Sequence, residues 1–324
     1  MQTHSTDYPV ALVGTSAAAE RARAAFTQAV HATAAVLIAA DAGLDADAVA
    51  RAIHDRSRPG APFIVLDCGT TDAVALEREL FGPRGRREGH ADVDLVGASA
   101  ALLRAREGTL YLKNIVDLPA AAQRRLARIV RDREVIAGGR RVSIRGRVIA
   151  HAPASISGEV REGHFRSDLY RRVSQIAVAI APLRERAEDI PELAARIASD
   201  LTGGHPPAFT QAALTVLAAP PWTGNLDELR RVLEKVLRAT NGLVRQEDVL
   251  AQLPIDGAFS RMAPDVSLRE ARRQFEREYI ASVLERHRWR MSEAARTLGI
   301  ERANLYRKTR QLGIIRRAGT PVTS

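Results

Sequence analysis

Over roughly the first 180 residues, short apolar runs alternate with amphipathic stretches. Val36-Leu37-Ile38-Ala39, Phe63-Ile64-Val65-Leu66, Leu110-Tyr111-Leu112, Arg147-Val148-Ile149-Ala150 and residues 176–181 each read as a strand, and residues 10–13 as a strand or turn lead-in. Residues 16–35, 47–54 and 119–133 carry helical patterns. The last opens on Pro119, placed in the first turn, where a missing N–H costs nothing. Strands alternating with helices predict the α/β class, a mostly parallel sheet covered on both faces. From residue 187 to 253 the pattern predicts helix throughout, broken at Pro220-Pro221-Trp222-Thr223-Gly224. Residues 254–264 hold few apolar anchors and read as a linker.

Beyond the linker the period is helical again. Ser267-Leu268-Arg269-Glu270 is a capping box opening a long helix, with Leu268, Phe275, Tyr279, Val283 and Leu284 on one face. A second segment starts at the N-cap Ser292, with Glu293 in the first turn and Ala294, Ala295 and Leu298 as a small apolar face. Gly299 ends it and Ile300 plugs the turn. A third helix runs from about Glu301, with Leu305 and Leu312 inward and Arg302, Asn304, Tyr306, Arg307, Lys308 and Arg310 outward. Two short helices around a glycine turn, the second basic, predict a DNA-binding helix-turn-helix. The stretch resembles the Fis-type helix-turn-helix in its Ala-Ala, Leu-Gly-Ile and Leu-Tyr-Arg-Lys pattern. The resemblance implies that Arg302 and Tyr306 face the major groove, with Arg302 the first candidate for reading a base. It implies that Asn304, Arg307, Lys308 and Arg310 mostly hold phosphates, which set register without carrying sequence information.

Charge sharpens this picture. The chain has 324 residues and a net charge of +10. From residue 261 onward there are 15 Lys+Arg against 7 Asp+Glu, whereas the preceding 260 residues hold 33 against 31. A basic end on a near-neutral body is the electrostatic footprint of a nucleic-acid-binding module. No apolar run reaches the ~18–20 residues that a membrane span needs. The single cysteine, Cys68, rules out an internal disulfide and reads as a small core residue. The eight histidines show no metal-ligand spacing, so no metal or other cofactor is expected.

The body resembles the AAA+ domain of the bacterial enhancer-binding proteins, the ATP-driven activators of sigma-54 RNA polymerase. The segments that carry this are Val49-Ala50-Arg51-Ala52-Ile53-His54, Pro62-Phe63-Ile64-Val65-Leu66-Asp67-Cys68, Glu79-Leu80-Phe81-Gly82 and Gly108-Thr109-Leu110-Tyr111-Leu112. Phe165-Arg166-Ser167-Asp168-Leu169-Tyr170-Arg171-Arg172-Val173, Pro182-Leu183-Arg184-Glu185-Arg186 and Trp222-Thr223-Gly224-Asn225-Leu226 continue it. The resemblance implies an AAA+ parallel-sheet core over residues 9–185 and a helical lid over 186–254. A linker over 255–266 and a Fis-type domain over 267–315 follow, with tails at 1–8 and 316–324. No receiver or ligand domain is expected ahead of the body.

The chemical positions depart from the family. A P-loop needs Gly-x-x-x-x-Gly-Lys-Ser/Thr, whose backbone and lysine cradle the phosphates. The corresponding stretch runs from Ala40 through Gly43 to Asp45, Ala46 and Asp47, with Ala46 at the lysine place. The chain has three lysines, Lys113, Lys235 and Lys308, and none precedes residue 113. Asp41, Asp45 and Asp47 put carboxylates where a triphosphate would lie, and like charges ~4 Å apart repel by ~4 kcal/mol at an effective dielectric of 20. Where the family has the Walker B Asp-Glu, Lys113-Asn114 stand, and a lysine cannot bind Mg²⁺. The sensor I asparagine place is Pro153 and the sensor II arginine place is Asp227. Arg166 and Arg172 remain at the arginine-finger places, where a surface or interface role is the expectation. Residues 83–90 contain no Phe-Thr pair of the sigma-54-contact loop, and Gly97-Ala98-Ser99-Ala100 only echoes it.

These readings predict a cytoplasmic DNA-binding regulator with a pseudo-ATPase AAA+ body, acting independently of sigma-54. Double-stranded DNA is the expected partner. A homodimer through the C-terminal domain, a higher oligomer through the body, and RNA polymerase or another regulator as a further partner are the accompanying expectations. The alternatives are an ATP-hydrolysing sigma-54-dependent activator and an interaction protein that modulates an active relative.

Overall fold

The computed structural model describes residues 8–69, 72–83, 94–240, 242–253 and 302–312, with single positions 277, 280, 281, 284, 291, 295 and 314. It divides into two compact units, Met1–Gln252 and Leu253–Ser324.

The first unit is built on seven strands: β1 (Val36–Ala40), β2 (Phe63–Asp67), β3 (Thr109–Lys113), β4 (Glu134–Ala137), β5 (Arg140–Ser143), β6 (Arg147–Ala152) and β7 (Ile176–Ile180). Five form a parallel sheet in the order β2-β3-β6-β1-β7, with Val36 opposite both Ile149 and Ile176. β1 and β3 are almost wholly buried because helices cover both faces, which is why they read as unbroken apolar runs. The edges differ: β2 leaves Val65 exposed, and β7 alternates buried and exposed positions.

The helices of the α/β layer are α1 (Ala17–His31), α2 (Ala46–Ser57), α3 (Ala73–Phe81), α4 (Ala101–Arg104), α5 (Ala120–Asp132), α6 (Ile156–Arg161) and α7 (Ser167–Val173). Ser16 caps α1 by accepting from Ala19 N–H at 3.1 Å. Leu66, Leu80, Phe81, Leu112, Leu126, Ala150 and Leu169 belong to one core between the sheet, α3, α5 and α7. Cys68 lies in that core, and burial followed by the charges of Asp67 and Asp117 pushes its thiol up to about 12, so it is a packed apolar group.

Four helices complete the unit: α8 (Ile190–Leu201), α9 (Gln211–Ala218), α10 (Asn225–Ala239) and α11 (Gln246–Leu250). The break expected at residues 220–224 falls between α9 and α10, but the helical pattern expected over the rest of 187–253 is corrected. Gly203-Gly204 and Pro206-Pro207 interrupt it, and Phe209 and Val244 bridge as short parallel extended segments. Residues 10–13, read as a strand or turn lead-in, open with a 3-10 turn, Val10–Leu12. Pro119 sits at the N-cap of α5, one residue before its first turn. The β4–β5 hairpin was not anticipated. Tyr8, assigned to a tail by the sequence, packs edge-on against Phe26 at 5.7 Å.

A buried polar knot ties residues 13–16, just ahead of α1, to residues 186–189, just ahead of α8. Asp189 is fully buried and accepts from Thr15 N–H at 2.8 Å, Ser16 N–H at 2.7 Å and Ser16 Oγ at 2.6 Å. The buried Arg186 donates to Val13 O at 3.4 Å and pairs with Asp189 at 3.9 Å. Gly14 has φ +136°, and a Cβ there would come within 2.1 Å of Asp189 Cγ, so only glycine admits the carboxylate.

In the second unit, α12 (Arg302–Gln311) buries Leu305 against Ile280, Leu284, Ala295 and Leu312. The inward face expected of Ala295, Leu305 and Leu312 is thus the observed one. The linker, the capping box at 267–270 and the Leu298-Gly299-Ile300 turn lie outside the described residues.

Candidate functional site

In open α/β sheets, ligands bind in the crevice beyond the carboxyl ends of the strands. Here that crevice is formed by residues 40–47, which lead from β1 into α2, and by the end of β3. Ala40 and Ala46 are buried and contribute no charge. Asp45 adopts a left-handed conformation, φ 51° and ψ 48°, of the kind glycine favours. Its carboxylate accepts from Ala48 N–H at 3.3 Å, so the amino end of α2 is capped from within the chain.

The loop is tied to the amino end of α10. Asn225 Nδ2 donates to Ala42 O at 2.8 Å, and Asp227 N–H donates to Gly43 O at 3.2 Å. Gly43 has φ +79°, and a Cβ there would lie 2.3 Å from Gly224 O. Asn225 Oδ1 also accepts from Leu183 N–H at 3.1 Å, so one buried side chain holds two segments. Asp227, at the sensor II place, contributes its backbone and leaves its side chain exposed.

Across the crevice, Lys113 Nζ lies 2.8 Å from Asp47 Oδ2 and 3.9 Å from Asp67 Oδ2. Tyr111 OH donates to Asp47 Oδ1 at 2.8 Å. Burial works to raise the Asp47 pKa, but the hydrogen bonds from Lys113 and Tyr111 outweigh it and hold the carboxyl below its usual range. The same hydrogen bond raises the Lys113 pKa, so both groups are charged at neutral pH. Asn114 is left-handed, φ 50°, and donates from Nδ2 to Asp67 Oδ1 at 3.1 Å. His151 accepts from Asn114 N–H at 3.4 Å through Nδ1 and donates through Nε2 to Ala40 O at 3.2 Å. Burial lowers its pKa, which keeps the ring neutral in this tautomer.

The three carboxylates that the sequence left bare are each engaged. Asp41 meets Arg184 Nη2 at 3.6 Å and accepts from Ala154 N–H at 3.4 Å. Asp45 caps α2, and Asp47 holds Lys113 and Tyr111. Internal pairing, in place of uncompensated negative charge, occupies this end of the sheet. Pro153 is half-buried next to Ala154 and offers no side-chain donor.

Arg166 is the N-cap of α7, and Arg172 lies in its last turn. Arg166 forms a two-pronged pair with Asp168, Nε to Oδ1 at 3.0 Å and Nη2 to Oδ2 at 2.8 Å. Arg172 is half-buried and lines a cleft shared with Arg166 and three arginines of α5. The base of the segment at 84–93 is pinned by Gly97 N–H donating to Phe81 O at 2.8 Å, while the 84–90 stretch itself lies outside the described residues.

On α12, Arg307 is exposed, Asn304 and Lys308 are half-buried, and Arg307 Nη2 donates to Asn304 Oδ1 at 2.8 Å. That bond pre-orders two of the expected phosphate ligands. The side chains of Arg302, Tyr306 and Arg310 lie outside the described residues.

Sequence reasoning missed the roles of Tyr111, Asp67, His151 and Asn225. The signal available for two of them was a polar residue at or just beyond the end of a buried strand, Asp67 after Leu66 and His151 in β6.

Three family models match the chain. A sigma-54 interaction domain covers residues 12–179, an AAA+ ATPase lid domain 184–256, and a bacterial regulatory protein of the Fis family 271–316. The nitrogen assimilation regulatory protein NtrX of Azorhizobium caulinodans is 33% identical, over 94% of this chain and 70% of its own length. The regulatory protein AtoC of Escherichia coli is 33% identical, over 87% of this chain and 63% of its own length. Among solved structures, NtrX from Brucella abortus in complex with ADP aligns with a TM-score of 0.60 and 30% identity over 96% of this chain and 70% of that one. A RuvB mutant from Thermotoga maritima, 16% identical with a TM-score of 0.52, shares the fold. This chain spans between 52% and 70% of the length of the first curated relatives.

Proposed function

Because the chain belongs to the sigma-54 interaction-domain family of DNA-binding bacterial transcriptional regulators, with its AAA+ lid and Fis-family helix-turn-helix, we propose that it regulates transcription through DNA binding without ATP hydrolysis. The observation that carries this reading is the Lys113–Asp47 pair at 2.8 Å. In a P-loop enzyme the Ser/Thr of the loop and the Walker B aspartate hold Mg²⁺ between them. Here those two places hold a carboxylate and an ammonium, which neutralise one another. The residues present do not fit a magnesium triphosphate: Ala46 supplies no cation, Asp45 already caps α2, and Lys113 repels the metal.

In this reading the α/β unit is a scaffold. Its loop–lid contacts are made by Asn225 and Gly43 within the chain, so the lid needs no nucleotide to engage the loop. DNA is held by α12 and by the basic excess of the C-terminal segment. Regulation is independent of sigma-54, because the segment between Gly82 and Gly108 lacks the Phe-Thr pair.

The second reading is an ATP-hydrolysing activator, favoured by the crystallised complex of Brucella abortus NtrX with ATP. Isothermal titration with ATP–Mg²⁺ separates the two. Flat titrations support the pseudo-ATPase. Micromolar binding with turnover lost on changing residues 40–47 supports the activator. A third role, joining the rings of an active relative, would show as co-purification lost on Arg172→Ala.

A further inference from the structure

The opposite end of the sheet, where β1, β6 and β7 begin, carries a second cavity of about 210 Å³. Its wall includes Arg131, Arg133, Arg147 and Arg172 and no carboxylate among the described residues. An adjoining cleft of about 220 Å³ shares Arg131 and Arg172 and adds Arg124, Arg128 and Arg166, with Asp168 as its one acid. Asp132 and Asp168 pair with Arg131 and Arg166. Even so, residues 120–172 hold thirteen arginines against five carboxylates, a local excess matching that of the DNA-binding end.

Arg147 is the buried member, 2% exposed. Its Nε donates to Ala34 O at 2.6 Å, while both Nη atoms are buried and make no hydrogen bond. Burial, and then the charge of Arg58, lowers its pKa to about 10. A buried guanidinium is ordinarily matched by a carboxylate, because leaving it alone in low dielectric is costly. This one is surrounded by further cations. No carboxylate of the cavity wall answers its charge among the described residues, which leaves a place for an external anion.

We propose that the cavity and its adjoining cleft bind a small anion with two phosphoryl groups, at a site separate from residues 40–47. Guanidinium forks match phosphate oxygens two at a time, and two clefts sharing Arg131 and Arg172 suit a ligand with two such groups. Shape favours a small ligand over DNA. The site is concave, and Leu102, Ile129 and Ile144 form part of its wall, as in pockets that take small molecules. A duplex would meet an open basic ridge instead.

The test is calorimetry of the full chain with inorganic pyrophosphate at physiological salt, alongside an Arg131→Gln/Arg172→Gln variant. Both positions lie on the rim, so the variant folds more readily than one lacking Arg147; a thermal melt checks this. Saturable binding by the parent, weakened about tenfold or more in the variant and unchanged in the exposed-surface control Arg238→Gln, is the expected result. Three results overturn the proposal. One is the absence of saturable binding. Another is equal binding by parent and rim variant. The third is a rim variant that lowers only the affinity and salt slope for duplex DNA, which makes this face a DNA contact.

Discussion

Lys113 and Asp47, 66 residues apart, face one another at 2.8 Å across the mouth of the crevice that β1 and β3 form. The pair is partly exposed, with side-chain accessibilities of 28% and 55%, so water screens it. A double-mutant cycle of Lys113→Met with Asp47→Asn therefore gives a coupling of about 0.5–1 kcal/mol in urea unfolding. The pH dependence has a definite sign. Asp47 is depressed in the folded chain, so its share is present above the ordinary value of 3.8 and lost as pH falls through the lower folded pKa. Lys113 is raised, so its share is complete below 10.5 and lost as pH rises through the higher folded pKa. A coupling that vanishes between pH 5 and 9 would contradict the pairing.

The Asp189 knot is worth far more because nothing screens it. Asp189→Ala leaves Arg186 buried and unpaired and removes the acceptor for three donors of residues 15 and 16. The expected cost is about 3–5 kcal/mol. Ser16→Ala removes the α1 cap and one hydroxyl bond and costs about 1–2 kcal/mol. Urea midpoints measure both, and a smaller loss for Asp189→Ala than for Ser16→Ala would refute the assignment of the knot.

The strands buried on both faces were legible because burial on two sides demands unbroken apolar runs, as in Val36-Leu37-Ile38-Ala39. The β4–β5 hairpin was missed because Val135, Ile136 and Val142 are diluted by charged neighbours, although Gly138-Gly139 is a two-residue turn signal. The absence of a lysine at the P-loop place could be read from lysine counts alone. What replaces it could not, since Lys113 and Asp47 meet only through the placement of β1 beside β6 and of β6 beside β3. Composition alone shows the carboxylates at 41, 45 and 47 and not the partners that the fold brings to them.

Asn225 gives a test of the loop–lid tie. It is buried and left-handed, φ 53°, and its amide serves Ala42 and Leu183 at once. Asn225→Ala loses both bonds and adds left-handed strain, for about 2–4 kcal/mol. Asn225→Gly removes the bonds without the strain and costs about 1–3 kcal/mol. Amide exchange at residues 41–46 should quicken in both variants. Unchanged exchange in the glycine variant would show that the loop is held by its own turn and not by the lid.

The DNA-binding helix separates two kinds of arginine and lysine contact. Leu305 and Leu312 fix α12 by burial, which leaves Arg307 on the outer surface with Asn304 as its partner. Positions 307 and 308 are expected to meet phosphates, so Arg307→Ala and Lys308→Ala should weaken target and random duplexes alike. Each should flatten the slope of log K against log salt by about 0.9. Arg302 opens the helix at the place expected to read a base. Arg302→Ala should cost about 1–3 kcal/mol on the target and little on random duplex, with discrimination lost at one base position. Fluorescence anisotropy over a salt series, on both duplexes, measures all three variants together. Equal losses on both duplexes for Arg302→Ala would move that residue to the backbone-holding set and leave base reading to another position on the helix.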